Sequence, residues 1–512
     1  MSAATPLPHY TLAPDLTISR IVTGLWQVAD MERSGKALDL ERASSAMLDY
    51  ARAGFDTFDM ADHYGSAELI TGRFLARAAA GESAGAGRPT ALTKWCPTPG
   101  PMTPEVVRAG VERSRARLGV EAIDLLQFHW WSFEHPGYLD AMHELAQLRR
   151  AGVIRQIGVT NFDTAHLRVL VKSGIEIATN QVCFSLLDRR AALDMSAFCL
   201  ENGIRLLAYG TLGGGLISER WLGRAEPGAA DIGDWSQMKY KRFVDAIGGW
   251  RALQSILRAL ERVARRHGVS VPNVATRWVL QHQAVAAVIV GARLGEREHR
   301  ADNLALFSFE LDAADRAVID EALAQSSMLR GDCGDEYRRA PFLTASGDLS
   351  DHLQALPRAF TAISSTVRPG RRWVSSASSW EQICGYSRAV RVGDRILVSG
   401  TTATDGAGRI VCPGDPAGQT VFILDKIAAS LAALGAGLAD VVRTRIYLRD
   451  VDHWEPVARI HGRYFGEIRP ANTLLEVSRL VGDYAVEIEA EAIVEPDSLQ
   501  PNIVQPNIVQ PH

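Results

Sequence analysis

The sequence predicts an α/β chain built as a (β/α)8 TIM barrel followed by a smaller α+β domain. Three observations carry that prediction. Eight short apolar runs alternate with helical stretches between residues 21 and 290, the pattern of parallel strands joined by crossover helices. Polar residues close three successive runs: Tyr64 follows the run 54–59, Lys94 ends 90–93 and His129 ends 124–128, at steps of 30 and 35 residues. A strand, a helix and a returning parallel strand need roughly 30 residues or more, so these groups fall at the same end of neighbouring strands. Finally, at 512 residues the chain exceeds what one hydrophobic core normally organises. A doubly wound sheet is the alternative, but no Gly-x-Gly-x-x-Gly follows the first strand.

Taken in order, residues 21–26 read as the first strand and 39–52 as a helix, which Gly54 stops before the strand ending at Asp59. Thr103-Pro104-Glu105 is a helix start, an N-cap followed by proline at the first helical position; Val107, Val111, Ser114 and Leu118 then share one face, and Gly119 ends it. Leu139, Met142, Leu145 and Leu148 repeat the plan and lead to a strand, 154–159, that ends at Thr160-Asn161. The helix around Leu167 and Leu170 returns to a strand at 178–182, and the strand 204–208 ends at Tyr209. A long insertion, 210–249, precedes a strong helix (Leu253, Ile256, Leu257, Leu260, Val263) and the last strand, 286–290. The barrel is assigned to 1–328. Residues 329–370 hold Gly, Pro, Ser and Arg without an apolar stripe and are assigned as a linker.

In the second domain, 371–496, the stretch 389–399 reads as two strands about Gly393-Asp394, a type I′ hairpin signal. Thr420, Leu424, Ile427, Leu431 and Leu434 form one helical face. Val486, Ile488, Ala490 and Ala492 alternate with glutamates, as in a half-buried strand. Residues 497–512 repeat Pro-Asn-Ile-Val-Gln and read as a disordered tail.

Composition narrows the function. A net charge of −4 offers no electrostatic case for nucleic acid or an anionic membrane, and no apolar run reaches the length of a membrane span. The start lacks the basic-then-apolar pattern of a secretion signal, so a cytoplasmic location is expected. The six cysteines are scattered without Cys-x-x-Cys or nearby paired histidines, so they read as free thiols, and no metal site is expected.

The strand-end residues suggest a chemistry. A tyrosine has a pKa near 10 and is a poor acid or base at neutral pH. A lysine ammonium beside Tyr64 favours its phenolate, and a carboxylate beside the lysine keeps that ammonium charged; Lys94 and Asp59 supply these groups. His129 at the neighbouring strand end can donate to a carbonyl oxygen. Proton exchange at oxygen is half of carbonyl reduction, and a nicotinamide hydride is the other half. Singly, each residue is more often a loop cap, an exposed charge or a packed polar group. Four such residues at successive strand ends make coincidence the weaker reading.

Residues from about 15 to 325 resemble the aldo-keto reductase family. The match runs through 54–59 with Tyr64-Gly65, Leu92-Thr93-Lys94, 124–129, 157–162 and Asn180-Gln181-Val182. The resemblance implies that Asp59, Tyr64, Lys94 and His129 are the family's catalytic tetrad. It also implies that Asn161 and Gln181 hold the nicotinamide carboxamide, that Tyr209 stacks on the ring, and that Trp26 lies near the ribose. Gly210, Leu212, Gly291, Arg293 and Asn303 are the further cofactor contacts implied. The step from Gly291 to Asn303 is two residues longer than the family pattern. Arginines there suit an adenosine 2′-phosphate and favour NADPH/NADP+ over NADH, with Arg293, Arg297 and Arg300 as candidates and a solvated basic face as the competing reading.

Residues from about 380 to 495 resemble the Rid (YjgF-like) family of small trimeric proteins, whose best-known members hydrolyse reactive enamines and imines; their fold is chorismate-mutase-like. Gly385-Tyr386, Val392-Gly393-Asp394, Arg469-Pro470-Ala471 and 487–490 carry the match. Tyr386 and Glu487 fall on family site positions, and Asn472 stands where the deaminating members have an arginine. An amide supplies neither the charge nor the two-pronged donation of a guanidinium. The expectation is an NADP(H)-dependent oxidoreductase interconverting a small carbonyl and an alcohol, assembled as a homo-oligomer, a trimer, through its Rid-like domain. Its rivals are an imine hydrolase fed by the barrel and an NADPH-sensing assembly module.

Overall fold

The computed structural model describes residues 7–32, 38–83, 87–228, 231–233, 235–296, 299–339, 343 and 356–495. The tail expected at 497–512 lies outside them. An antiparallel hairpin of β1 (His9–Ala13) and β2 (Leu16–Ser19) comes first, an element that the apolar runs of the sequence do not announce. Leu16 and Ile18 pack with Val22, Leu92, Leu125 and Leu207, so the hairpin plugs the N-terminal end of the barrel interior.

Eight parallel strands then close on themselves: β3 (Ile21–Gly24), β4 (Thr57–Asp59), β5 (Thr90–Trp95), β6 (Ile123–His129), β7 (Ile154–Thr160), β8 (Thr179–Cys183), β9 (Arg205–Tyr209) and β10 (Val285–Gly291). β10 pairs with both β9 and β3, completing the (β/α)8 barrel. Helix starts follow their local chemistry. The Thr103 side chain accepts from the backbone N–H of Val106, Pro104 opens the helix Pro104–Leu118, and Gly119 ends it at φ 64°, where L side chains are strained.

The second domain is a seven-stranded sheet in the order β11 (Ala362–Ser364), β12 (Arg371–Val374), β13 (Ala389–Val392), β14 (Arg395–Thr401), β17 (Val486–Ile493), β15 (Val441–Leu448) and β16 (Ala471–Glu476). Val392 pairs with Arg395 across the expected hairpin, but φ is positive at Gly393 and not at Asp394. That is the requirement of a type II′ turn, not type I′. The helix Pro416–Ala433 was expected to bury one face. It buries 17 of its 18 residues, because it lies between the second sheet and the barrel helix Thr164–Lys172.

The segment 329–370, expected to be a linker, is partly built into both domains. Leu329, Cys333, Asp335, Glu336 and Tyr337 are buried against the barrel, with a one-turn helix at Asp335–Arg338, and β11 already belongs to the second sheet. Besides the buried Leu329, Cys333 and Tyr337, ion pairs of Asp335 and Glu336 hold 329–339, and three apolar residues set among charges are too few for a periodic signal.

Candidate active site

A cleft of about 550 Å³ opens at the C-terminal ends of the barrel strands, the end where such barrels place their chemistry. Asp59 closes β4, Lys94 lies near the end of β5 and His129 closes β6, and all three are buried. The Lys94 ammonium donates to Asp59 Oδ2 at 2.5 Å and to the Met60 carbonyl at 3.1 Å. Asp59 Oδ1 accepts from Gln127 Nε2 and Gln181 Nε2, each at 2.8 Å, so the carboxylate is bonded through both oxygens. Lys94 Nζ stands 5.1 Å from the centroid of the Tyr64 ring, which packs edge-on against Trp26 at 5.0 Å. Among the described residues the structure thus brings Asp59, Tyr64, Lys94 and His129 to one cleft, with Gln127 as a supporting residue that the strand-end pattern did not single out.

His129 stays neutral. Burial pushes its pKa well below the ordinary imidazole value, and the Arg338 charge adds to the effect. Cys96 Sγ lies 3.7 Å from His129 Nδ1, and burial raises that thiol well above its usual range. A protonated thiol can donate to Nδ1, and in that tautomer the ring proton sits on Nε2. Nε2 is buried, has no hydrogen-bond partner among the described residues, and belongs to a side chain lining the cleft.

The expected cofactor contacts also line this cleft: Trp26, Asn161, Gln181, Tyr209, Gly210, Leu212, Gly291, Arg293 and Asn303. Asn161 adopts a left-handed φ of 55° and its Oδ1 accepts from the Tyr209 hydroxyl at 2.8 Å. Gly210, at φ 75°, leaves room for Tyr240, whose hydroxyl oxygen a Cβ would meet at 2.2 Å. Of the three arginine candidates, Arg293 lines the cleft, with Glu296 at 4.0 Å. Arg300 instead donates to the Asp49 carbonyl and lies 5.2 Å from the Tyr50 ring centre. Arg297 lies outside the described residues. A cleft running from Asn161, Gln181 and Tyr209 to Gly291, Arg293 and Asn303, with an unpartnered Nε2 beside it, fits a nicotinamide dinucleotide.

Two residues that the sequence reading did not single out also line the cleft. Lys239, from the insertion after β9, donates to the hydroxyl of Tyr337 at 2.6 Å. The Tyr337 ring stands 5.7 Å from His129 and 5.8 Å from Trp131, centre to centre. Asp62, His63 and Cys96 place donor atoms within 4.8 Å of one another.

In the second domain, Tyr386 and Glu487 flank the buried Arg388, whose guanidinium lies 5.9 Å from the Tyr386 ring. Asn472 does not join them within the chain. It pairs with Thr444, which pairs in turn with the buried Ala490, so it faces the helices, whereas Glu487 projects from the opposite face of the sheet. Its amide donates to Thr444 Oγ1 at 2.9 Å, and that hydroxyl also meets His461.

Residues 20–324 match the model of the aldo/keto reductase family, more than half of the chain. The chain belongs to the aldo/keto reductase family. Residues 377–494 match the model described as endoribonuclease L-PSP, which places the second domain in the Rid family. Among similar proteins, the NADH-specific methylglyoxal reductase of Escherichia coli is 26% identical over 331 residues, covering 60% of this chain and 95% of that one. A RutC family protein of Pyrococcus abyssi is 38% identical over 110 residues, 22% of this chain and 87% of that one. The glycerol dehydrogenase of Gluconobacter oxydans superposes with a TM-score of 0.50 at 24% identity, covering 65% of this chain and 98% of that one, a likeness of fold. As an aldo/keto reductase the chain is an oxidoreductase of a family that uses nicotinamide cofactors. Among the described residues no helix is long and apolar enough to cross a membrane.

Proposed function

We propose that this chain is a cytoplasmic, NADP(H)-dependent oxidoreductase that interconverts an aldehyde or ketone and an alcohol, with the Rid domain as its assembly or small-molecule-binding module. One observation carries the reading: a buried Lys94–Asp59 pair stands beside Tyr64, and neutral His129, its Nε2 unpartnered among the described residues, lines the same cleft. When bound, the nicotinamide supplies the hydride. Tyr64 exchanges the proton at the substrate oxygen. Lys94 stabilises the phenolate that forms when the proton leaves, and Asp59, held by Gln127 and Gln181, keeps the ammonium in place. His129 Nε2–H orients the carbonyl oxygen without itself changing charge.

Arg293 is the proposed partner of the 2′-phosphate, and NADPH the proposed cofactor. The name of the Escherichia coli relative makes NADH the alternative outcome. Oxidation of NADPH and of NADH is to be followed against a panel of aldehydes and ketones. The expected result is turnover of at least one carbonyl with a preference for NADPH. Inertness towards every carbonyl with both cofactors would remove the reading.

A further inference from the structure

The second domain touches the barrel beside the substrate end of the cleft. Tyr337, which closes that end against His129 and Trp131, sits in a helix of four residues, Asp335–Arg338. One turn of helix is too short to hold itself, so its position rests on its side chains. On the barrel side, Arg338 donates to the carbonyls of Asn161, at 2.7 Å, and Trp130, and Glu336 pairs with Arg190 at 2.7 Å. Gly334, at φ 85°, lets the turn approach so closely that a Cβ would meet the Asn161 carbonyl oxygen at 2.2 Å.

The remaining charges of the turn face the second domain. Arg463, on the helix Trp454–Phe465, lies 3.1 Å from Asp163 Oδ2, 3.6 Å from Asp332 Oδ2 and 3.6 Å from Asp335 Oδ1. Its backbone carbonyl accepts from Arg339 at 3.1 Å. Asp163 also has His166, at 2.8 Å, and Asp335 has Arg339, at 3.6 Å, but among the described residues the cation shared by all three carboxylates is Arg463. Without it, Asp332 keeps no ion-pair partner among the described residues and lies beside Asp163 and Asp335 in the turn that carries Tyr337. Like charges at that range repel, and the half-buried site weakens solvent screening.

We propose that Arg463 is a positioning residue for the reaction of the barrel: the fused domain holds the 329–339 segment in place, and Tyr337 with it, so that it completes the substrate pocket. This rests on the reductase reading for what the pocket does, and on geometry alone for what holds it. The fused domain is then more than a passenger, since the barrel presents its finished pocket only with that domain docked.

The test uses the full-length chain with Arg463→Ala and, should that variant fold poorly, Asp335→Asn, which weakens the same bridge from the barrel side. Hydrogen exchange is read for the peptide 328–339 and, as a control, for β5–β7. The KM of a bulky aromatic aldehyde and of a small aliphatic one, and NADPH affinity by nicotinamide fluorescence, are measured alongside. Faster exchange confined to 328–339 is expected, with a KM ratio of the two aldehydes shifted by about tenfold, the scale of one lost, partly buried ion pair, and a smaller loss of NADPH affinity through Asn161, which Arg338 holds. Tyr337→Ala should shift the same ratio, and adding Arg463→Ala to it should shift it no further. Unchanged exchange at 328–339, or an Arg463→Ala effect fully additive with Tyr337→Ala, would overturn the proposal. A wild type inert towards carbonyls would remove the reductase reading, while loosened exchange at 328–339 would still support the hold of Arg463 on the segment.

Discussion

At the scale of residues, the site divides into groups that strand ends announce and groups that they do not. Asp59, Lys94 and His129 were legible because each ends or nearly ends an apolar run, and Tyr64 because it opens the loop just beyond one. Tyr64→Phe keeps the ring packing on Trp26 and removes the exchangeable proton. Turnover should fall by roughly 10²–10⁴ with NADPH affinity unchanged, and steady-state rates equal to wild type would end the proton-transfer assignment. Among the described residues, Arg293 is the arginine of the closing loop that lines the cleft. Arg293→Ala should weaken NADPH by about 10- to 100-fold, from a charge-assisted contact of about 1.5–3 kcal/mol, and leave NADH alone; equal losses for both would show that it does not read the 2′-phosphate. Lys239 and Tyr337 left no such trace. One lies in an insertion and the other in a charge-rich stretch without periodicity, and only folding brings them together.

Among the elements, the barrel strands and most helices followed their periodicities and caps, and the misses share a cause. The β1–β2 hairpin, the ordered part of 329–370 and the second buried face of the helix Pro416–Ala433 have no periodic signal in the sequence, because each is decided by what it packs against. The contact between helices Thr164–Lys172 and Pro416–Ala433 shows this well. His166 stacks on Phe133 at 3.5 Å and meets Asp163 at 2.8 Å and Asp425 at 2.9 Å. Burial alone would lower its pKa, but Asp163 and Asp425 outweigh burial and raise it to about 9. A histidine raised above its unfolded value of about 6.5 contributes fully below that pH and loses the contribution as pH rises through the folded value. Docking of the two domains should therefore weaken between pH 6.5 and 9, by about 3 kcal/mol at most. Urea midpoints of wild type and His166→Gln should differ most near pH 6 and converge above pH 9, and a difference independent of pH would show that His166 is not the titrating group.

For the whole molecule, the second sheet raises the question of assembly. Helices cover one face, while Val392, Leu397 and Ile493 are each more than 40% exposed on the other, among the pairs that Arg445 and Arg395 make with Glu489 and Glu491. Apolar side chains inside a paired charge lattice suit a face that meets copies of itself, and the trimer implied by the Rid resemblance is the proposed assembly. Light scattering should then give about three times 55.7 kDa, and Leu397→Asp should reduce it towards one copy; a monomeric wild type would remove the assembly role. The same geometry bears on the rival imine chemistry. Asn472 brings a neutral amide where a substrate carboxylate would need a cation, and within the chain it is turned to Thr444, on the face of the sheet opposite Glu487. A neutral hydrogen bond is worth about 1 kcal/mol against about 1.5–3 for a charged one, so imines of amino acids should bind poorly as well as lack an aligned partner. Full-length protein should accordingly release little keto acid from such imines under conditions where it oxidises NADPH with a carbonyl. Release at a rate comparable to NADPH oxidation would make the Rid domain a second catalyst, and the barrel would then be the source of its substrate.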